Sequence, residues 1–207
     1  MSRKKDHGQV IYLSRDHLEG AIQLLSSAFS DDPLMHFLFN NRSPTFHQDL
    51  RELFRFTCEV RLELDWPILG CIADDGLVGV ACVTEPEEVE WPESLGRTYR
   101  ELVNSIGPEA TERLERYSDL TDSYRPEMPH YYLAVLGVHP NAHGRGYGGL
   151  LLQEVGALSE GHPTSIGVGV DTENPENLSF YERFGYSLVA KTQLQDMDLW
   201  SMFRPNS

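Results

Sequence analysis

Apolar positions along the chain follow two rhythms, and the change between them marks out the elements. Val10 to Leu13 is a short apolar run with β character. From Leu18 the spacing lengthens: Leu18, Ala21, Ile22, Leu25 and Phe29 recur at helical steps, which predicts an amphipathic helix broken by Asp31-Asp32-Pro33. Leu34 to Phe39 is a short apolar segment rich in aromatics. Ser43-Pro44 reads as an N-cap with proline at the first helical position, opening a helix to about Leu64. Trp66 to Ala73 and Leu77 to Thr84 flank Asp74-Asp75-Gly76 and predict a β-hairpin.

Residues 85–128 interrupt the pattern. They are strongly acidic, punctuated by Pro and Gly, and carry helical patterns at about Ser94 to Ile106 and Pro108 to Tyr117. Such a segment reads as an insertion lying over the core, too short and polar to bury much by itself. Beyond it the types alternate: strand Tyr131 to Val138, helix Gly146 to Ser159, strand Ser165 to Val170, helix Pro175 to Phe184, strand Tyr186 to Lys191, and a last strand near Asp198 to Phe203. A strand–helix–strand unit of this length implies a parallel pair with a right-handed crossover.

With 207 residues, 40% of them hydrophobic, the chain can bury a full core as one domain. Its net charge of -15 argues against a nucleic-acid partner and against an anionic membrane surface. No apolar run reaches the roughly 18 residues of a spanning helix. Cys58, Cys71 and Cys82 form no CxxC pair and leave one over in any disulfide scheme, so reduced buried thiols and a cytoplasmic setting are expected. Met1 to Gly8 is basic with no apolar stretch behind it, unlike a secretory signal. No CxxC or HExxH pattern calls for a metal. Monomer and homodimer are equally open.

One stretch carries the chemistry. Gly137-Val138-His139-Pro140-Asn141-Ala142-His143-Gly144-Arg145-Gly146-Tyr147-Gly148-Gly149 joins a predicted strand to a predicted helix. Glycines at such a junction let a ligand approach the backbone and turn several N–H groups to one point, which makes a phosphate site. Gly144, Gly146 and Gly149 satisfy the dinucleotide spacing GxGxxG, with Asp171 downstream where a ribose-binding acid would stand. Against that reading, His139 to His143 separate the glycines from their strand, and few residues follow Asp171 for further βαβ units.

The longer frame, Val138-His139-Pro140 followed by His143-Gly144-Arg145-Gly146-Tyr147-Gly148, resembles the acetyl-CoA-binding motif of the GNAT acetyltransferase superfamily, Gln/Arg-x-x-Gly-x-Gly/Ala. His143 takes the Gln/Arg place. Asn174-Pro175-Glu176-Asn177-Leu178-Ser179-Phe180-Tyr181-Glu182-Arg183-Phe184-Gly185-Tyr186 is similar to that family's Asn-x-x-Ala-x-x-Phe-Tyr-x-x-x-Gly-Phe signature, with Asn177 for Ala and Tyr186 for Phe. The resemblance spans about Tyr131 to Tyr186. Ala28-Phe29 with Asp32-Pro33, His130-Tyr131-Tyr132-Leu133 and Trp200-Ser201-Met202 look more narrowly like the puromycin N-acetyltransferase branch. The resemblance implies an α/β (α+β) fold: a mixed, mostly antiparallel central sheet flanked by helices, with a splayed parallel strand pair. It implies one acetyltransferase domain over 1–207, with the helical insertion at about 85–128 and the CoA-binding core at about 130–186.

It also implies the site. Acetyl-CoA would be the cosubstrate, in a cleft where the strands ending at Val138 and Val170 part. Leu136, Gly137 and Val138 would lie along its pantetheine arm, and His143, Gly144, Arg145, Gly146, Tyr147, Gly148 and Gly149 around its pyrophosphate, with Arg145 adding charge. Asn174, Asn177 and Tyr181 would also contact the cofactor, Asn174 while capping the helix that carries Tyr181. Tyr181, with an ordinary phenol pKa near 10, is the expected general acid for the leaving thiolate; packing beside Phe180 is the alternative role. The strand from Tyr131 to Val138 holds no carboxylate, which leaves His130, Asp171, Glu85 or a water chain as the base. The acceptor would be a small-molecule amine held by Phe29, Asp32, Phe37, Phe39, Tyr132 and Trp91, steered by acidic residues if it is cationic. The activity so implied is direct N-acetylation through a ternary complex, since no cysteine falls in the motifs. A non-catalytic acyl-CoA-binding module is the alternative, and it would not need Tyr181.

Overall fold

The computed structural model describes residues 8–73 and 76–207; Met1 to His7, in the basic N-terminal stretch, and Asp74 and Asp75, at the predicted hairpin turn, lie outside the described residues. Seven strands form one sheet among the described residues: β1 (Gln9–Tyr12), β2 (Ile68–Ala73), β3 (Gly76–Thr84), β4 (Tyr131–Val138), β5 (Gly167–Thr172), β6 (Ser187–Leu194) and β7 (Met197–Pro205). Their order is β1-β2-β3-β4-β5-β7-β6. Every neighbouring pair is antiparallel except β4–β5, as the crossover predicts.

That parallel pair scarcely touches. β4 and β5 are paired at Tyr131↔Val168 and Tyr132↔Gly169, then part. On its other side β4 steps past β3: Cys82 faces Val135 and Val83 faces Leu133, so Ala134 is left over as a bulge. A bulge bends its strand and increases the twist, which carries the rest of β4 away from β5.

Helices cover both faces. On one lie α1 (Leu18–Ala28), α2 (Pro33–Phe39), α3 (Phe46–Glu63) and α4 (Glu93–Asp122); on the other lie α5 (Tyr147–Gly161) and α6 (Leu178–Glu182). The strands feed both cores by alternation: Val80 and Cys82 join the α1–α4 side, Ala81 and Val83 the α5 side. Asp32 both ends the first helical run and starts the next, because its Oδ1 accepts the N–H groups of Leu34 at 2.9 Å and Met35 at 3.3 Å, with Pro33 in the first turn.

Two expectations are corrected. Helix α3 starts at Phe46 rather than Ser43-Pro44, because the Ser43 hydroxyl bonds locally to Thr45 and closes a turn there. The acidic insertion forms two helical runs, as its pattern predicts, broken within α4 by Gly107, at φ 79°, with Pro108 opening the second run. It also buries more than its polarity promised. Leu95, Leu102 and Ala110 are inside, and Tyr99, Ile106 and Leu114 pack onto the α1–α3 core. All three cysteines are buried, and none forms a disulfide among the described residues. Among the described residues no helix is long and apolar enough to cross a membrane.

Candidate active site

The glycine loop leaves the end of β4. His139 N–H donates to the Val78 carbonyl at 2.9 Å, Pro140–Ala142 form a short 3-10 turn, and a ring nitrogen of His143 lies 2.8 Å from the Val138 carbonyl. The loop is thus folded back on the strand it leaves. Gly144 and Gly146 have φ of 74° and 91°, with open space where a Cβ would stand. Helix α5 begins at Tyr147, and the first N–H to bond back within it is that of Leu150, to Gly146. The N–H groups of Gly148 and Gly149, in the first turn, gather at the positive end of the helix, beside exposed Arg145.

The other glycines serve packing. A Cβ at Gly148 would stand 3.2 Å from Phe180 and one at Gly149 only 2.6 Å from Phe184. Phe180 of α6 and Phe184 just past it therefore press directly on the first turn of α5, which packs the two sequence motifs together. Tyr147 turns its side chain into the core, at 2% exposure, so it offers the loop only its main chain. Gly137 meets α1 instead of a ligand: a Cβ there would stand 2.9 Å from Leu25.

A cavity of about 510 Å³ lies between α1–α4 and the parted strands. Leu133 to Leu136 line it, so β4 runs from the cavity wall straight to the loop that follows Val138. One part of the wall is aromatic: Phe29 and Phe54 have centroids 5.3 Å apart, and Phe56 lies 6.1 Å from Trp91 and 5.7 Å from Tyr99.

Another part is acidic. Tyr181, Asp32, Asp171 and Glu173 all line the cavity, and the three carboxylates all act on the Tyr181 phenol. Glu173, just past β5, is 9% exposed and accepts a hydrogen bond from the Tyr117 hydroxyl at 2.7 Å. Burial pushes its carboxyl up to about 8, against the opposing pull of that bond. Asp171 accepts from Tyr132 Oη at 2.7 Å and from Ser201 Oγ, yet burial still raises it. Asp32 is raised by burial too, despite its two backbone bonds. Burial likewise pushes the Tyr181 phenol well above the ordinary tyrosine range. Tyr181 packs on Phe180 and Tyr186 at 5.4 and 5.5 Å.

Asn177 lines the cavity and donates to Thr172 Oγ1 at 3.1 Å; Asn174 caps the 3-10 turn ahead of α6 through Glu176 N–H and lies outside the lining. Phe29, Asp32, Tyr132 and Trp91 are in the wall as expected, whereas Phe37 and Phe39 are not. Because α2 is helical, Leu34, Met35 and Leu38 face the cavity, while Phe37 packs on the core and Phe39 borders a separate cleft at the α4 kink. Of the named bases, Asp171 lines the cavity. His130 is turned to the Met128 carbonyl and Phe203, and Glu85 lies with Glu87 and His162.

Sequence reasoning missed Glu173, Tyr117 and Arg61. Glu173 carried a faint signal, since it stands two residues beyond Asp171 and strand alternation puts both on one side. Among the described residues, no His, Cys, Asp or Glu cluster is placed to hold a metal.

Residues 113–188 match the family of acetyltransferase (GNAT) domains. Three solved structures share the architecture. A Corynebacterium glutamicum protein described as histone acetyltransferase HPA2 and related acetyltransferase has a TM-score of 0.73 at 18% identity, over 97% of both chains. Arylalkylamine N-acetyltransferase 2 from Aedes aegypti has a TM-score of 0.69 at 15% identity, over 98% of this chain and 100% of its own. An agmatine N-acetyltransferase has a TM-score of 0.65 at 17% identity, over 97% of this chain and 100% of its own. None of the three is named for puromycin.

Proposed function

The chain carries a GNAT acetyltransferase domain, and from that premise we propose that it moves the acetyl group of acetyl-CoA directly to the nitrogen of a small amine. The residues fit that cosubstrate. Open left-handed glycines and the main-chain N–H groups of Gly148 and Gly149 in the first turn of α5 suit a pyrophosphate, with Arg145 beside them. The edge of β4 from Leu136 to Val138, parted from β5, offers main-chain donors and acceptors to the pantetheine arm. Acetyl-CoA supplies the activated acyl group as a thioester.

Glu173 takes the proton that the amine must lose, and its raised pKa matches that task near neutral pH. Asp32 and Asp171 hold the incoming cation beside it. A main-chain N–H on the free edge of β4 polarises the thioester carbonyl. Tyr181 gives its proton to the sulfur as the C–S bond breaks and the C–N bond forms, and the second proton that the nitrogen sheds restores the phenol. Burial keeps the phenol protonated, and it raises the basicity of a thiolate forming in the same dry place. Cys58 and Cys82, buried with their sulfurs 4.0 Å apart and not in a disulfide, support a reducing, cytoplasmic setting.

The observation that carries this reading is the opening of the acidic and aromatic cavity onto the unpaired edge of β4, with Glu173 and Tyr181 in its wall. Two structural neighbours are named for arylalkylamine and for agmatine, an aromatic and a cationic amine class; this cavity has walls for both kinds of group. The test is release of free thiol from acetyl-CoA across a panel of amines. We expect turnover with at least one aromatic or cationic amine; silence across the panel would refute the transferase reading.

A further inference from the structure

The cavity holds a cation that acetyl transfer does not use. Arg61, in the last turn of α3, lines the cavity and is 8% exposed. Its Nη1 donates to the Thr57 carbonyl at 2.9 Å and its Nη2 to Thr84 Oγ1 at 3.0 Å. Its Nε has no partner, and a guanidinium keeps a second hydrogen on each Nη. Among the described residues no carboxylate pairs with it, and the guanidinium that acts on it, Arg125, repels. Arg125 is differently placed: Asp122 pairs with it at 2.7 Å, and it stacks 3.7 Å over the Tyr132 ring.

A buried guanidinium without an anion is costly, and a tie between α3 and β3 needs only a neutral donor. The charge therefore calls for a ligand. Its position shows which one. Thr84 faces Tyr132, and Tyr132 faces Gly169. Glu173 lies further along from Gly169 by about 13 Å, at roughly 3.3 Å per residue. The glycine loop lies beyond Val138, at the opposite end of β4 from Tyr132. Arg61 is thus remote from the phosphate loop and set apart from the proposed reacting nitrogen as well.

We propose that Arg61 receives a carboxylate at the far end of the acceptor, so that the acceptor is an amine carrying a carboxylate several bonds from its nitrogen. The free hydrogens of the guanidinium fork take the two carboxylate oxygens, while the carboxylates near Tyr181 take the ammonium group. The assignment of the amine end rests on the acetyl-transfer reading; binding of the anion by Arg61 does not.

The probes are phenethylamine and 4-(2-aminoethyl)benzoic acid, which share a skeleton and differ in the distal carboxylate. Calorimetric titration of the full chain should show the acid binding about tenfold or more tightly than the parent amine. Arg61→Met should abolish that preference and leave phenethylamine within about twofold; Arg61→Gln, which keeps a donor for Thr84, should do the same if the methionine variant does not fold. Equal affinities in the wild-type protein, or equal weakening of both probes by the substitution, overturn the proposal. Thiol release separates it from the transferase reading. A carboxylate preference without turnover leaves Arg61 standing and the transferase fallen, whereas turnover of phenethylamine without the preference does the reverse.

Discussion

The glycine loop and the acceptor cavity lie along the same strand, β4, and are built in opposite ways. The loop is contiguous, from His143 to Gly149, and offers main-chain N–H groups; its tyrosine, Tyr147, points into the core. The cavity is assembled from side chains scattered from Phe29 to Tyr181 and carried by both helices and strands. A function borne by the main chain needs a local pattern of small residues. A function borne by side chains needs only that distant residues meet. The two should therefore fail separately when they are damaged.

The largest separation is expected at Glu173. Glu173→Gln should lower kcat/KM by about 10² to 10⁴ while acetyl-CoA affinity, measured by calorimetry, is unchanged. The pH profile adds a second readout. A base acts deprotonated, and burial pushes this carboxyl up to about 8, so kcat/KM should climb as pH rises through about 8. That limb should vanish in the variant; its survival would assign the proton to another group.

Tyr181→Phe comes next, with kcat lower by about 10² near neutral pH and cofactor binding retained, since phenylalanine preserves the packing on Phe180 and Tyr186. If cofactor affinity and kcat fell together, the residue would belong to binding rather than to proton transfer. Gly146→Ala should act the other way round. The left-handed backbone there costs a non-glycine residue about 1–2 kcal/mol, so acetyl-CoA should bind about tenfold more weakly with amine affinity untouched. Calorimetry with each ligand in turn decides it.

The smallest effect is expected at Asp32. Asparagine caps a helix as well as aspartate, so Asp32→Asn should spare α2 and raise the KM of a cationic amine by about threefold at low ionic strength. Phe37→Leu, outside the cavity wall, should leave that KM alone. An unmoved KM in both variants would take Asp32 out of the acceptor's field.

The same contrast explains what could be read in advance. The strands, the first helix and the parallel pair follow from periodicity, and the loop from its glycines. Leu34 to Phe39 was legible as apolar but not as helical, so its phenylalanines were aimed at the cavity when Leu34, Met35 and Leu38 face it instead. Gly107-Pro108 announced the break between two helical runs; the polarity around it hid that they bury Leu102 and Ala110. The bulge at Ala134 is marked by no glycine or proline, so the extent of the parting was hidden. Glu173 owes its raised pKa to burial and faces Tyr117 from far along the chain, and no spacing rule joins the two.

The parting of β4 from β5 has a consequence for hydrogen exchange. Beyond Tyr132, the amides of β4 that face the gap have no strand partner, so in the free protein they should exchange with solvent far sooner than those turned to β3. Filling the gap would slow them. Deuterium uptake over Leu133–Val138 would then report occupancy of the cleft without any turnover, on the strand that joins loop to cavity.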